Sequence, residues 1–175
     1  MPHTDSTLET LSHSRYALLR SFRRDGTAAD TPIWFVLDGR TALFRTKIGP
    51  KTRRITARPD VELVICDHRG RITGTTWLTG RATVLGGEDA EEANRALHRR
   101  YGWQWNIMPL LKIPGVTNVH SNLPLPEKLR RARDRALWPD SAIVKIDLDG
   151  QPRQPGPSNA FRSPISAEDG VTRSD

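Results

Sequence analysis

Apolar residues fall in short runs through the first half of the chain, separated by glycine-, proline- and charge-rich breaks. That spacing predicts strands joined by tight turns. Residues 7–14 read as a short helix behind a flexible lead-in at 1–6. YALLRSFRR (16–24) predicts a strand that ends at the Asp25-Gly26 turn, and PIWFVL (32–37), rich in β-formers, predicts a second. Asp38-Gly39 is a hairpin signal into TALFRT (41–46). After Gly49-Pro50 the period changes: KTRRITAR reads as one or two helical turns, with Pro50 at the first helical position and Pro59 stopping the run.

VELVICD (61–67) is a nearly continuous apolar strand, turned at Arg69-Gly70. TGTTWLTGRATVL (73–85) predicts a long strand, with Gly74 and Gly80 marking bulges or bends. EDAEEANRALHRRY (88–101) is the clearest helix, acidic at its start, basic at its end, with Ala90, Ala93, Leu97 and Tyr101 on one stripe. Residues 102–123 are irregular and aromatic, PEKLRRARDRAL (126–137) predicts a basic helix, and AIVKIDL (142–148) a last strand.

Hairpin turns join most of these strands, so the sheet is predicted to be mainly antiparallel. Short strands at this spacing suggest a small barrel, because closure removes exposed edges. The alternating strand and helix order of a doubly wound sheet is missing, as is a glycine-rich dinucleotide fingerprint. The reading is one domain over 7–150, with a helical insert at about 106–140 and a Pro-, Ser- and Gly-rich tail at 151–175 whose composition predicts disorder.

Charge changes this picture. The formal net charge is +7, which favours anionic partners. The start of the chain has neither a basic opening nor an apolar run, so a signal peptide is not expected, and no stretch approaches the roughly 18 apolar residues of a membrane span. A cytoplasmic protein is the expectation. Cys66, the single cysteine, lies in an apolar run and reads as a buried, inert thiol. The histidines, His3, His13, His68, His98 and His120, match no metal-ligand spacing, so no metal is expected. His98 reads as solvated beside its arginines. No nucleophile elbow is present, and the aromatics are not interleaved with the basic run as in a nucleic-acid module.

Lys51, Arg53 and Arg54 crowd the start of the short helix after Gly49-Pro50, where the helix dipole disfavours cations. A solvated basic turn is the plain explanation. A bound phosphate explains more, since it would turn the repulsion into attraction and would also meet the free amides of the first turn.

The runs at 16–46, 50–85 and 91–105 resemble the pyridoxamine-5'-phosphate-oxidase-like class of split β-barrels, and within it a group of F420-dependent enzymes. The resemblance implies a mainly β fold with flanking helices, a split barrel of the FMN- or F420-binding type. It implies a homodimer that binds the deazaflavin coenzyme F420, or alternatively FMN, between subunits. The implied function is hydride transfer from the reduced cofactor to an electron-poor C=C or C=N bond of a small organic substrate. A non-catalytic F420-binding protein is the other alternative. The implied cofactor residues are Thr46, Lys51, Arg53 and Arg54 at the phosphate, and Pro32, Trp34 and Trp77 beside the ring. No catalytic residue is assigned. From about residue 106 the resemblance lapses, and the insert becomes the candidate for substrate choice.

Overall fold

In the computed structural model, residues 2–111 and 120–153 are described. Helix α1 spans Pro2–His13, and strands β1 (Tyr16–Phe22), β2 (Ala28–Trp34), β3 (Val36–Asp38) and β4 (Thr41–Lys47) follow. Then come α2 (Pro50–Ala57), β5 (Asp60–Ile65), β6 (Trp77–Val84), α3 (Gly87–Tyr101), a short α4 (Gln104–Ile107) with a 3-10 turn behind it, α5 (Leu125–Arg133) and β7 (Ser141–Arg153).

The strands form a 7-stranded sheet in the order β2-β1-β5-β6-β7-β4-β3, and every pairing is antiparallel. β2 and β3 stand at opposite ends of that order, yet only Phe35 separates them in the chain. The sheet therefore curls until both its edges belong to one run of residues, giving the split β-barrel expected from the sequence.

Alternation along the strands sorts the side chains. Ala17, Leu19, Ile33, Phe35, Phe44, Leu63, Leu78 and Ile146 turn inward to one core, which Leu8 and Leu11 of α1 and Ile55 of α2 join from the ends. On the outer wall, Val36 and Ile143 pack under Leu97 of α3 and Trp105 of α4. Elsewhere on that wall Leu18, Val64, Cys66 and Trp77 form a separate cluster.

Several boundaries differ from the sequence reading, for identifiable reasons. The run 32–37 is two strands, because its hydrogen-bond partner switches from β1 to β4 at Phe35 while the inward alternation of Ile33, Phe35 and Leu37 continues. β6 begins at Trp77; before it, the Thr73 and Gly74 amides both donate to the Ile65 carbonyl at 3.0 Å, folding the connection across the end of β5. The register of β6 against β7 shifts between Leu78 and Gly80. A Cβ on Gly80 would stand 2.8 Å from the Asp147 carbonyl oxygen, so the bulge admits only glycine. β7 runs to Arg153 because β6 gives it a partner as far as Trp77. The predicted tail thus starts as strand, and its remainder, 154–175, lies outside the described residues. The lead-in at 1–6 is helical from Pro2. α5 stops at Arg133, where the Asp134 carboxylate accepts the Ala136 amide and turns the chain. At the β3–β4 hairpin, Gly39 has φ +58 as the first of two loop residues, as a mirror-image turn needs.

Candidate functional site

The turn from β4 into α2 sets the geometry of the cation cluster. The Gly49 amide donates to Thr52 Oγ1 at 3.0 Å, and that hydroxyl donates back to the Gly49 carbonyl at 2.9 Å. This side-chain loop closes the helix start, and no acidic residue occupies the first turn. Helical spacing then sends the three cations in two directions. Lys51 and Arg54 lie together on the barrel side. The Lys51 ammonium lies 5.7 Å from the centre of the Phe44 ring. Burial, with help from the Arg54 charge, lowers the Lys51 pKa to about 8. Arg54 Nε donates to Ser21 Oγ at 3.1 Å, and burial together with Arg23 pulls its pKa down. Arg53 lies on the other side of α2, exposed. Among the described residues none of the three has a carboxylate within ion-pair distance.

Arg53 opens on a groove of about 1370 Å³. One bank is α2, with Thr52, Arg53 and Thr56, and Arg24 stands beside it. The other is the start of α3, with Gly87, Glu88 and Glu91. Its floor is apolar, from Val84 and Leu85 at the end of β6 to Leu137, Trp138 and Ala142 before and in β7.

The other residues expected at the cofactor lie apart from this groove within one chain. Thr46 shares the inward side of β4 with Phe44 and pairs with Ala142 of β7. Pro32, Trp34 and Trp77 are on the outer wall. Pro32 is exposed and packs near Gly70, where a Cβ would stand 3.4 Å from the Pro32 ring. Trp34 lies at 5.5 Å from Trp105 with the rings tilted, and at 6.2 Å, edge-on, from Tyr101. Trp77 is buried with Leu18, Val64 and Cys66, under the Arg20 guanidinium at 4.1 Å. The barrel wall separates these aromatics from Lys51 and Thr46. Cys66 is buried as expected, and burial followed by the Asp67 charge pushes its thiol up to about 11.

Sequence reasoning missed the most unusual polar layer. On the outer side of β4, Arg45 is covered by α3, α4 and the chain before β7. Its guanidinium lies 4.7 Å from the Trp105 ring centre and 4.5 Å from that of Trp138. Its Nη2 donates to the Trp105 carbonyl, and both terminal nitrogens reach Asn106 Oδ1 at 3.3 Å. Among the described residues its Nε has no partner, and no carboxylate lies within ion-pair distance. Burial lowers its pKa to about 9. His98, expected in solvent, turns its Nε2 into the protein without a partner, and burial, then the Arg45 and Arg135 charges, lower its pKa.

Arg131 approaches the same Trp138 ring, at 5.2 Å. Its environment is the opposite one: Nε donates to Glu127 Oε1 and Nη1 to Asp140 Oδ1, both at 2.7 Å. Burial works against its charge, but the Glu127 and Asp140 bonds outweigh that and its pKa is raised. The basic helix α5 is therefore partly occupied by its own carboxylates, since Arg130 also binds Glu127, at 2.7 Å. Trp103 is 68% exposed and Trp105 1%, so only Trp105 belongs to the packing of the site.

A barrel whose sheet closes through a single run, with a cationic helix behind its fourth strand, defines a protein of the split-barrel class. The sequence model of the pyridoxamine 5'-phosphate oxidase family matches residues 4–120, and the chain belongs to that family. Two solved structures agree on the fold. A pyridoxamine 5'-phosphate oxidase-related, FMN-binding protein from Nostoc punctiforme is 17% identical, the match covering 83% of this chain and 76% of that one, with a TM-score of 0.50. A FAD-binding protein from Mesorhizobium loti is 15% identical over 82% of this chain and 88% of its own, also at 0.50. An F420 reductase is 22% identical over 80% and 91%, at 0.45. At such identities the likeness is one of fold. No curated protein matches the sequence. Among the described residues, no helix is long and apolar enough to cross a membrane.

Proposed function

We propose that the protein is an F420-dependent reductase that works as a homodimer on a small organic acceptor with an electron-poor C=C or C=N bond. The observation that carries this reading is the set of cations on α2, Lys51, Arg53 and Arg54, left without a carboxylate partner among the described residues. Unbalanced positive charge at a helix start is costly unless an anion joins it. A coenzyme with a phosphodiester and an acidic tail meets that need, and the net charge of +7 suits it.

Reduced F420, when bound, supplies the hydride. The chain's part is to hold and orient. Lys51 and Arg54 would grip the phosphoryl group, a point charge beside a planar fork, each charge-assisted bond contributing about 1.5–3 kcal/mol. Arg53 would face the groove, whose apolar floor suits a flat organic ligand. Pro32, Trp34 and Trp77 would serve the ring only across a dimer interface, because the wall of their own barrel separates them from Lys51 and Thr46. FMN is the second reading, favoured by the likeness to the FMN-binding Nostoc protein.

Titration of the full-length protein with F420 and with FMN tests this. Lys51→Ala/Arg54→Ala is expected to fold and to lose at least about tenfold in affinity for the true cofactor, about 1.4 kcal/mol. Unchanged affinity removes α2 from the site. Yellow protein with flavin absorbance on purification selects FMN. Tight F420 binding without oxidation of reduced F420 by any acceptor selects a non-catalytic carrier.

A further inference from the structure

Alternation along β1 turns Ala17, Leu19 and Ser21 toward the interior of the barrel. The first two join the apolar core. The third is a hydroxyl, 1% exposed, at the end of β1 that packs against α2. A hydroxyl so enclosed must find its hydrogen-bond partners within the protein. Ser21 Oγ donates to the carbonyl of Ala29, its cross-strand neighbour on β2, at 3.3 Å. It accepts from Arg54 Nε at 3.1 Å. With its one proton directed at Ala29, the oxygen meets Arg54 as an acceptor.

That bond decides which part of the arginine is left over. A guanidinium carries one N–H at Nε and two on each terminal nitrogen. Arg20 shows the ordinary use of them: Nε and Nη2 both engage the Asp30 carboxylate, at 2.8 and 2.9 Å. Arg54 engages Nε alone, and on a neutral oxygen. Among the described residues its Nη1 and Nη2 have no hydrogen-bond partner and no carboxylate at ion-pair distance. Its neighbours repel it. Besides burial, the Arg23 charge acts on Arg54, and the Arg54 charge acts on Lys51. Arg23 is itself tied back, Nη1 donating to Thr27 Oγ1 and to the Ala28 carbonyl at 3.2 Å each. A long side chain among like charges turns to water unless something holds it.

We infer that Ser21 is a positioning residue for the coenzyme: it holds Arg54 by Nε so that Nη1 and Nη2 are presented end-on, as a two-pronged donor, to a phosphoryl group. The inference rests on the reading that Lys51 and Arg54 grip the phosphate. A guanidinium has two edges that can make paired bonds, the Nε side and the terminal pair. Ser21 occupies the first, so the terminal pair is the edge left for the ligand. Two parallel bonds need two oxygens on one atom, which a phosphoryl group supplies. Fixing the side chain before the ligand arrives also removes part of the ordering cost of binding. Ser21, enclosed at 1% exposure, acts through Arg54.

The test is a double-mutant cycle on the full-length protein, titrated with F420 and with FMN: wild type, Ser21→Ala, Arg54→Ala and the two together. For the cofactor that the wild type binds, Arg54→Ala is expected to lose about tenfold in affinity and Ser21→Ala about fourfold. Where Arg54 is already alanine, Ser21→Ala should add less than about twofold. A second readout needs no cofactor. The Arg54 Nε–H cross-peak in heteronuclear NMR should exchange slowly with water in the wild type and be lost in Ser21→Ala. If Ser21→Ala does not fold, Ser21→Cys takes its place, since it fills the same space with a weaker acceptor and should show the same pattern. Losses that simply add overturn the inference, as does an Nε–H signal that persists unchanged without the hydroxyl. Loss on Arg54→Ala with none on Ser21→Ala overturns it too, and leaves the phosphate reading of α2 standing. No loss on Arg54→Ala removes that reading, and the role of Ser21 falls with it.

Discussion

Arg45 and Arg131 lie against the same indole, that of Trp138, and their situations differ in one respect. Arg131, 11% exposed at its side chain, is bonded to Glu127 and Asp140. Arg45 has two tryptophan rings, a carbonyl and an amide oxygen, and no anion. The pKa of the first is raised and that of the second is lowered to about 9. Stacking on an aromatic face therefore does not settle what a buried cation is for; its counter-ion does. A cation that has its carboxylates is a clasp, here fastening α5 to the start of β7. A cation that lacks them carries a desolvation cost that its remaining contacts offset only in part. Lys51, over Phe44 with no acidic neighbour, belongs with Arg45.

The contrast can be attacked by substitution. Lys51→Met should give the largest change, a gain in stability of as much as about 3 kcal/mol at pH 7, because the lysine pKa of about 8 lies well below its ordinary value of 10.5. The same shift fixes a pH course. Below pH 8 both folded and unfolded chains carry the proton, and the full cost of the buried charge is present. Between pH 8 and 10.5 the folded chain releases it first, so this group's contribution makes stability rise with pH, and Lys51→Met should flatten that rise in urea titrations. Cofactor affinity should move the other way, falling as pH climbs through about 8 and the ammonium is lost. Arg131→Met comes next: it leaves Asp140 without its arginine and Glu127 with Arg130 alone, and should lower the unfolding midpoint by about 5 °C. Arg45→Met strands no carboxylate but takes the donor from the Trp105 carbonyl and Asn106 Oδ1, so it should cost about 1 kcal/mol, less than Arg131→Met. A large loss there would make Arg45 a clasp like Arg131. The smallest effect belongs to Asp30→Asn, which breaks the half-exposed pair with Arg20 at 2.8 Å and should cost under about 1 kcal/mol by chemical denaturation.

Local chemistry made much of the barrel readable in advance. The Asp38-Gly39 hairpin, the helix behind Gly49-Pro50 and the bulge at Gly80 each follow from glycine or proline at a defined place. The break at Phe35 could not be read, because alternation continues through it and only the neighbouring strand changes. The presence of three cations on α2 was legible; their divergence was not, since it depends on which side of one short helix faces Phe44 and Ser21. Arg45 escaped for a similar reason. TALFRTK alternates inward Ala42, Phe44 and Thr46 with outward Leu43, Arg45 and Lys47, and an outward arginine on a strand ordinarily meets water. It is buried here because α4 and the segment around Trp138 cover that wall, and the second of these comes from the region where the family resemblance gave out. His98 was placed in solvent on the same incomplete information.

The position of β7 between β6 and β4 bears on how the molecule is made. During synthesis β4 and β6 leave the ribosome with a row of bare amides and carbonyls each, and the strand that satisfies both arrives about a hundred residues after β4 begins. Until residues 141–148 emerge the nascent chain is an open cup with two adhesive rims, the kind of intermediate that chaperones shield. Truncation ahead of Ser141 should therefore yield an aggregating product rather than a smaller barrel.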